Sequence, residues 1–268
     1  MDGAPLDYSH RFHVANHGDV WKHTALIHLL DALRPSWFLD THAGEGSYEL
    51  GPTGEWTAGA GKIWADPPAD PLVQAWIRRA APAPPPSRRR YPGSPALAAA
   101  AIGAERLHLF ELQADAAGAL RQNVGPAAQI TIGDGFLAAL PPGAGLVHID
   151  PPFVTREDWT RAPDVAAALH AASRAAEAPS VVMLWYPIKS WSRPNLLLQR
   201  LRDRRAPFVA LDLVVTPLEL KRPQLAGSGI ALLGAPEASI GALCAAASAL
   251  GPRLATHDGR WQLRVSGA

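Results

Sequence analysis

Leu146-Val147-His148-Ile149-Asp150-Pro151-Pro152-Phe153 is the stretch around which the rest of the chain can be organised. A short apolar run bounded by a turn signal reads as a buried strand, and an acid followed by two prolines ends it. Each proline fixes φ and removes a backbone donor, so the loop is stiff and presents acceptors. Phe153 adds a flat apolar face. An exocyclic amino group on a planar base is a weak nucleophile, because its lone pair is delocalised into the ring. The Asp150 carboxylate and the Pro151 carbonyl, each taking one N–H, would turn that nitrogen towards an electrophile while Phe153 stacks on the base. The plain alternative is a strand that ends in a proline-rich turn.

Further runs of the same kind fall at 37–40, 107–111, 129–133, 181–185, 208–215 and 230–233, separated by helix-like segments. With 146–150 they make seven strands and predict an α/β fold: a doubly wound, mostly parallel seven-stranded sheet in a single domain over 1–268. A helix at 241–250 and a last short strand at 261–265 close the chain. The interval 51–95 breaks the rhythm with a helix at 71–80, a proline run at 82–86 and Arg88-Arg89-Arg90, and reads as a small inserted helical subdomain. With 268 residues, 48% of them hydrophobic and 18% charged, the chain can bury one large core and is neither disordered nor fibrous. A formal net charge of +1 means that nucleic-acid binding has to come from local clusters of Lys and Arg. Cys244 is the only cysteine, which excludes an internal disulfide and a thiolate metal cluster and fits a reducing compartment. No apolar run approaches the roughly 20 residues that span a bilayer, and the start has no signal-peptide character, so a cytoplasmic protein without a membrane partner is expected.

Other strand tips carry punctuation of the same type. Asp40-Thr41-His42-Ala43-Gly44-Glu45-Gly46 follows the first strand, where glycines let a backbone approach a ligand closely; a plain glycine-rich turn reads equally well. Glu111 ends the second strand, where an acid holds ribose hydroxyls. It lies far beyond the usual spacing of roughly 20 residues, and the 51–95 interval accounts for the excess. Asp134-Gly135-Phe136 follows the third strand, where the carboxylate could accept an adenine amino group or form an ordinary Asp-Gly turn. Taken in order, Asp40, Glu111, Asp134 and Asp150 end four successive strands, each with a distinct task at one sheet edge.

The segment from Tyr8 to His23 holds four histidines, His10, His13, His17 and His23. A metal site is one reading, but no acidic pattern or cysteine accompanies them, and none is expected. Asp19 is a plausible N-cap, after which Leu26, Leu29, Leu30 and Leu33 define a helical face. Lys22 and His23 fall on or beside that face. The sharp reading makes Lys22 a cation near an active site and His23 a cofactor contact; the bland one is a snorkelling lysine and a hydrogen-bonded histidine. Arg88-Arg89-Arg90-Tyr91 suits phosphate contacts, although such runs are usually solvated loops.

The strand-tip landmarks resemble those of class I S-adenosylmethionine-dependent methyltransferases, which have a Rossmann-like fold. The string Phe12-His13-x-x-Asn16-His17-x-Asp19-Val20-x-Lys22-His23, together with Tyr91-Pro92-Gly93-Ser94-Pro95 and Leu184-Trp185-Tyr186-Pro187, is more specific. These segments closely resemble the bacterial 23S ribosomal RNA (adenine-N6)-methyltransferase family, over nearly the whole chain. The resemblance implies S-adenosylmethionine as methyl donor, S-adenosylhomocysteine as product and 23S ribosomal RNA as substrate, with no metal and a monomeric enzyme. It implies that His23, His42, Ser94, Glu111, Asp134 and Gly135 contact the donor and that Asp150 is the catalytic acceptor. Tyr8, His10 and Lys22 would lie on the RNA side, and Pro151 and Phe153 would hold the base. Phe153 stands where relatives often have Tyr, which keeps the stacking face; Ser9 and Arg11 are exchanged relative to the family pattern. A DNA adenine-N6 methyltransferase would share the Asp150 chemistry but usually carries a target-recognition domain. A protein amide-nitrogen methyltransferase would favour Asn at position 150. An RNA-binding protein without catalysis and a His-rich metal protein are the readings from other classes.

Overall fold

Strands β1 (Trp37–Asp40), β2 (Ser47–Glu49), β3 (Arg90–Pro92), β4 (Leu107–Glu111), β5 (Gln129–Ile132), β6 (Gly145–Ile149), β7 (Val181–Ile188), β8 (Val209–Val214), β9 (Gly227–Leu233) and β10 (Gln262–Gly267) alternate with eight α-helices in the computed structural model, among the described residues. The helices are α1 (His17–Leu33), α2 (Ala60–Ala65), α3 (Pro71–Ala80), α4 (Ser94–Ile102), α5 (Ala114–Val124), α6 (Asp158–Arg174), α7 (Ser192–Asp203) and α8 (Glu237–Leu254). The structure describes residues 13–80, 90–175, 179–220 and 225–268, so Tyr8, His10, Arg88 and Arg89 lie outside it.

The main sheet runs β10-β8-β9-β7-β6-β1-β4-β5, and β2 and β3 form a separate two-stranded ribbon. The pairs from β7 through β6, β1 and β4 to β5 are parallel, whereas β9 and β10 run against their neighbours. The sheet therefore has eight strands, not the seven expected. The short terminal segment supplies the eighth by pairing along the whole of β8, from Gln262↔Val214 to Gly267↔Val209. Without it β8, five of whose six residues are buried, would offer an unpaired edge.

Every residue of β1, β6 and β9 is buried. This is why these strands read as continuous apolar runs: helices cover both faces. Successive residues serve opposite layers. Phe38 and Leu146 pack under α1, α4 and α8, while Leu39 and Val147 pack under α6 and α7.

Helix α1 begins earlier than its leucine pattern suggests. Its N-cap is Asn16, whose Oδ1 accepts from the Asp19 backbone N at 3.0 Å, and the Asp19 carboxylate accepts from the Ala15 N at 2.8 Å. Asp19 is thus a first-turn residue and not the N-cap. Both residue types cap helices, and the earlier one takes the position because its amide nitrogen also donates to Glu55 Oε2 at 2.9 Å. The helix is buried nearly all round from Gly18 to Leu30, because the sheet lies on one side and α3, α4 and α8 close over the others. No helix among the described residues is long and apolar enough to cross a membrane.

Candidate active site

The parallel register places the carboxyl ends of β6, β1, β4 and β5 side by side: Asp40 pairs with His148 and Leu109, and Glu111 with Ile132. Asp150, Asp40, Glu111 and Asp134 consequently come together at one sheet edge, the position where open α/β sheets bind ligands.

Asp40 is fully buried. It accepts from Ser94 Oγ at 2.6 Å, from the His42 backbone N at 3.2 Å, and faces His148 Nδ1 at 3.2 Å. Burial alone would raise its pKa; the ring of His148 and the two donors outweigh burial and hold it below the usual range. Asp40 therefore anchors the loop after β1, and the Ser94 hydroxyl proton is committed to it. In that loop Gly44 has φ +62°, and its N–H donates to Glu111 Oε2 at 2.9 Å. The other Glu111 oxygen accepts from the Gln113 N at 2.9 Å. Asp134 Oδ1 takes the Phe136 N at 2.9 Å, and Oδ2 takes Arg161 Nη2 at 2.6 Å. The Arg161 guanidinium also covers the Phe136 ring at 4.5 Å, and His42 meets that ring edge-on at 4.7 Å. Burial keeps the His42 imidazole below its ordinary pKa, against the pull of Asp40, Asp150 and other carboxylates. A side chain at Gly135 would run into the Thr41 carbonyl, so the loops after β1 and β5 close on each other only with glycine there.

This half of the edge fits a nucleoside-bearing donor. A carboxylate has about four acceptor positions, so Glu111 and Asp134 each retain capacity beyond their present partners. Gly44 is half-buried beside Glu111, whereas Gly135 is buried against Thr41 and serves to let the two loops meet.

The other half is built on Asp150. Lys22 Nζ lies 2.6 Å from Asp150 Oδ2 and 2.9 Å from Asp19 Oδ1, and 5.2 Å from the centre of the Trp185 ring. Burial would favour a neutral amine, but Asp150 and Asp19 overcome it and hold the Lys22 pKa well above its ordinary value. Pro151 is buried and Pro152 exposed. Phe153 sits at φ +52°, a left-handed conformation rarely taken by a bulky residue and maintained only when its surroundings enforce it. Its ring is buried, with Trp159 and Trp185 packed tilted against it at 4.6 and 6.2 Å.

His23 turns to other partners. Its Nδ1 lies 2.9 Å from Tyr91 Oη, which also receives Trp76 Nε1 at 3.3 Å, and burial depresses its pKa to about 3. The neutral ring stacks on Tyr91 at 5.5 Å. Among the described residues no group of three or more His, Cys, Asp or Glu side chains comes together as a metal site. His13 pairs with Glu55 and His17 Nε2 meets the Leu225 carbonyl, so these histidines diverge.

Four residues around the site had no such role assigned from the sequence: Asp19 as a partner of Lys22, Trp185, Trp159 and Arg161. The i,i+3 spacing of Asp19 and Lys22 was a signal for the first. Nothing local connects Arg161 to Asp134.

The family model for ribosomal RNA large subunit methyltransferase D, RlmJ, matches residues 34–265. A ribosomal RNA large subunit methyltransferase J from Escherichia coli K12 is 30% identical over 255 residues, covering 86% of this chain and 88% of the relative. The protein of the same description from Haemophilus influenzae is 32% identical over 202 residues, covering 68% and 70%. The crystal structure of a Legionella pneumophila protein has the same fold, with a TM-score of 0.77 at 24% identity over 95% of this chain and 98% of that one.

Proposed function

The chain belongs to the ribosomal RNA large subunit methyltransferase J family, and from that premise we infer that it methylates N6 of an adenine in 23S ribosomal RNA in the cytoplasm, converting S-adenosylmethionine to S-adenosylhomocysteine. The observation that carries the chemistry is Asp150, ion-paired to Lys22 beside the aromatic floor of Phe153 and Trp185, on a strand tip next to those of Asp40 and Glu111.

S-adenosylmethionine, when bound, supplies an electrophilic methyl group on a sulfonium. Glu111, Asp134, Gly135 and His42 would hold its nucleoside, with Ser94 acting through Asp40 and His23 through Tyr91. On the acceptor side Lys22 occupies Asp150 Oδ2, and Oδ1 and the Pro151 carbonyl are left to take the two amino hydrogens. The nitrogen becomes positive as it accepts the methyl group, and only afterwards loses one of its two protons to solvent, so a lone cation nearby would oppose transfer. Asp19 cancels that effect: with Lys22 it forms a neutral pair, leaving the charge of Asp150 to stabilise the developing cation. The target base has to leave its stack at a cost of a few kcal/mol, and a stack on Phe153 would offset roughly 1–3 kcal/mol of it. Tyr8 and His10 are assigned to the RNA side by the family pattern.

Mass mapping of 23S RNA from cells with and without the gene tests this. One N6-methyladenine should be absent without the gene and restored when the purified protein acts on that RNA with S-adenosylmethionine. Identical maps, or equal transfer to duplex DNA, would remove the assignment.

A further inference from the structure

The aromatic floor continues beyond Phe153. Trp159 packs against Phe153 at 4.6 Å, and the Arg193 guanidinium lies 5.7 Å from the centre of the Trp159 indole. Phe153, Val154, Trp159, Lys189 and Arg193 line an open cavity of about 270 Å³, room for one base and not for a whole substrate. Lys189 and Arg193 are exposed, and neither has a carboxylate partner among the described residues.

Extruding a base breaks its stacks on both sides, and the neighbouring base loses a partner as well. Phe153 answers for the target base. Trp159, one ring further along, is placed to answer for the neighbour, and two uncompensated cations beside it match a phosphodiester. We propose that this cavity holds the nucleotide adjoining the target adenine, with its base on Trp159 and its phosphate between Lys189 and Arg193. The proposal rests on the reading of the chain as an RNA methyltransferase and specifies where that enzyme grips the strand.

The test measures binding of a 23S RNA fragment to the full chain across a salt series. Lys189→Ala combined with Arg193→Ala should weaken binding at least tenfold and reduce the slope of log K against log salt by about 0.7, the value for one single-strand phosphate no longer neutralised. S-adenosylmethionine affinity should stay within twofold. Both side chains are exposed, so folding is not at stake. Single-turnover methylation of fragments with an abasic residue on either side of the target adds a second readout. The wild type should slow about tenfold on one of the two, and Trp159→Ala should lose that discrimination. Wild-type affinity and slope in the double variant, or equal sensitivity to the abasic residue in Trp159→Ala and the wild type, would overturn the proposal while normal methylation by the wild type leaves the enzyme assignment standing. A wild type that methylates no 23S RNA would bring down both.

Discussion

Lys22 lies between two carboxylates with its side chain only 11% exposed, so its two partners have different predicted effects. Asp150→Asn keeps the shape but loses an acceptor and the charge; single-turnover methylation should fall by roughly 10²–10³-fold, the usual loss when one preorganised polar contact to a transition state is removed. S-adenosylmethionine affinity, measured by calorimetry, should be unchanged, and a wild-type rate would take Asp150 out of the chemistry. Asp19→Asn leaves Lys22 paired to Asp150 alone, so the pair becomes neutral as the acceptor nitrogen turns positive. About tenfold slower transfer, without a change in RNA or donor affinity, is expected; a change in affinity alone would mean that Asp19 serves only to hold the chain before α1 through the Ala15 N–H. The sequence made Asp150 readable because a strand, an acid and two prolines lie within a few residues. Its partner was not readable as such, since the contact spans 128 positions and depends on how α1 meets β6.

Helix α6 delivers Arg161 to the loop after β5, and the resulting pair with Asp134 uses the outer oxygen of the carboxylate assigned to the donor's amino group. Binding through that oxygen requires the guanidinium to yield. Both side chains are 33% exposed, where an ion pair is worth about 0–1 kcal/mol. Arg161→Ala should therefore tighten S-adenosylmethionine by no more than about fivefold at low salt and flatten the salt dependence of its binding. Weaker binding in this variant would show instead that Arg161 is part of the adenine pocket. The same elements show where patterns in the chain suffice. The tips of β1 and β6 were readable because burial on both faces demands continuous apolar runs, and α3 because it stands between proline-rich breaks. The start of α1 was misplaced from Asn16 to Asp19 because both are capping residues, and only the tie to Glu55, 39 positions away, decides between them. Glu111 ends its strand as expected despite its spacing, whereas the commitment of Ser94 to Asp40 needed the crossing of α4 over β1.

Catalytic and supporting halves of the sheet are joined at β7, which carries Trp185 under Lys22 and Tyr186 on the opposite layer. Tyr186 donates to Asp212 Oδ1 at 2.6 Å, and Arg264 of β10 donates to Oδ2 at 2.8 Å while stacking on Trp191 at 3.7 Å. The terminal strand, uncounted among the expected seven, is thereby fixed to the buried centre by a charge. Asp212 is fully buried, and burial raises its pKa above the ordinary 3.8, although Tyr186 and Arg264 pull the other way. A carboxyl raised in the folded state binds its proton more tightly there than in the unfolded chain. Its contribution to stability is therefore unfavourable above the folded pKa and improves as pH falls towards the unfolded value. Arg264→Met removes the cation and leaves a buried carboxylate, which raises that pKa further and widens the interval. At pH about 7 the variant should lose about 3–5 kcal/mol, or roughly 5–10 °C in Tm for a domain of this size, and part of the deficit should be recovered near pH 5. Thermal melts at the two pH values check this. A deficit that is the same at both would mean that Arg264 acts through its packing on Trp191, and no deficit at all would mean that β10 is held by its backbone ladder to β8 alone.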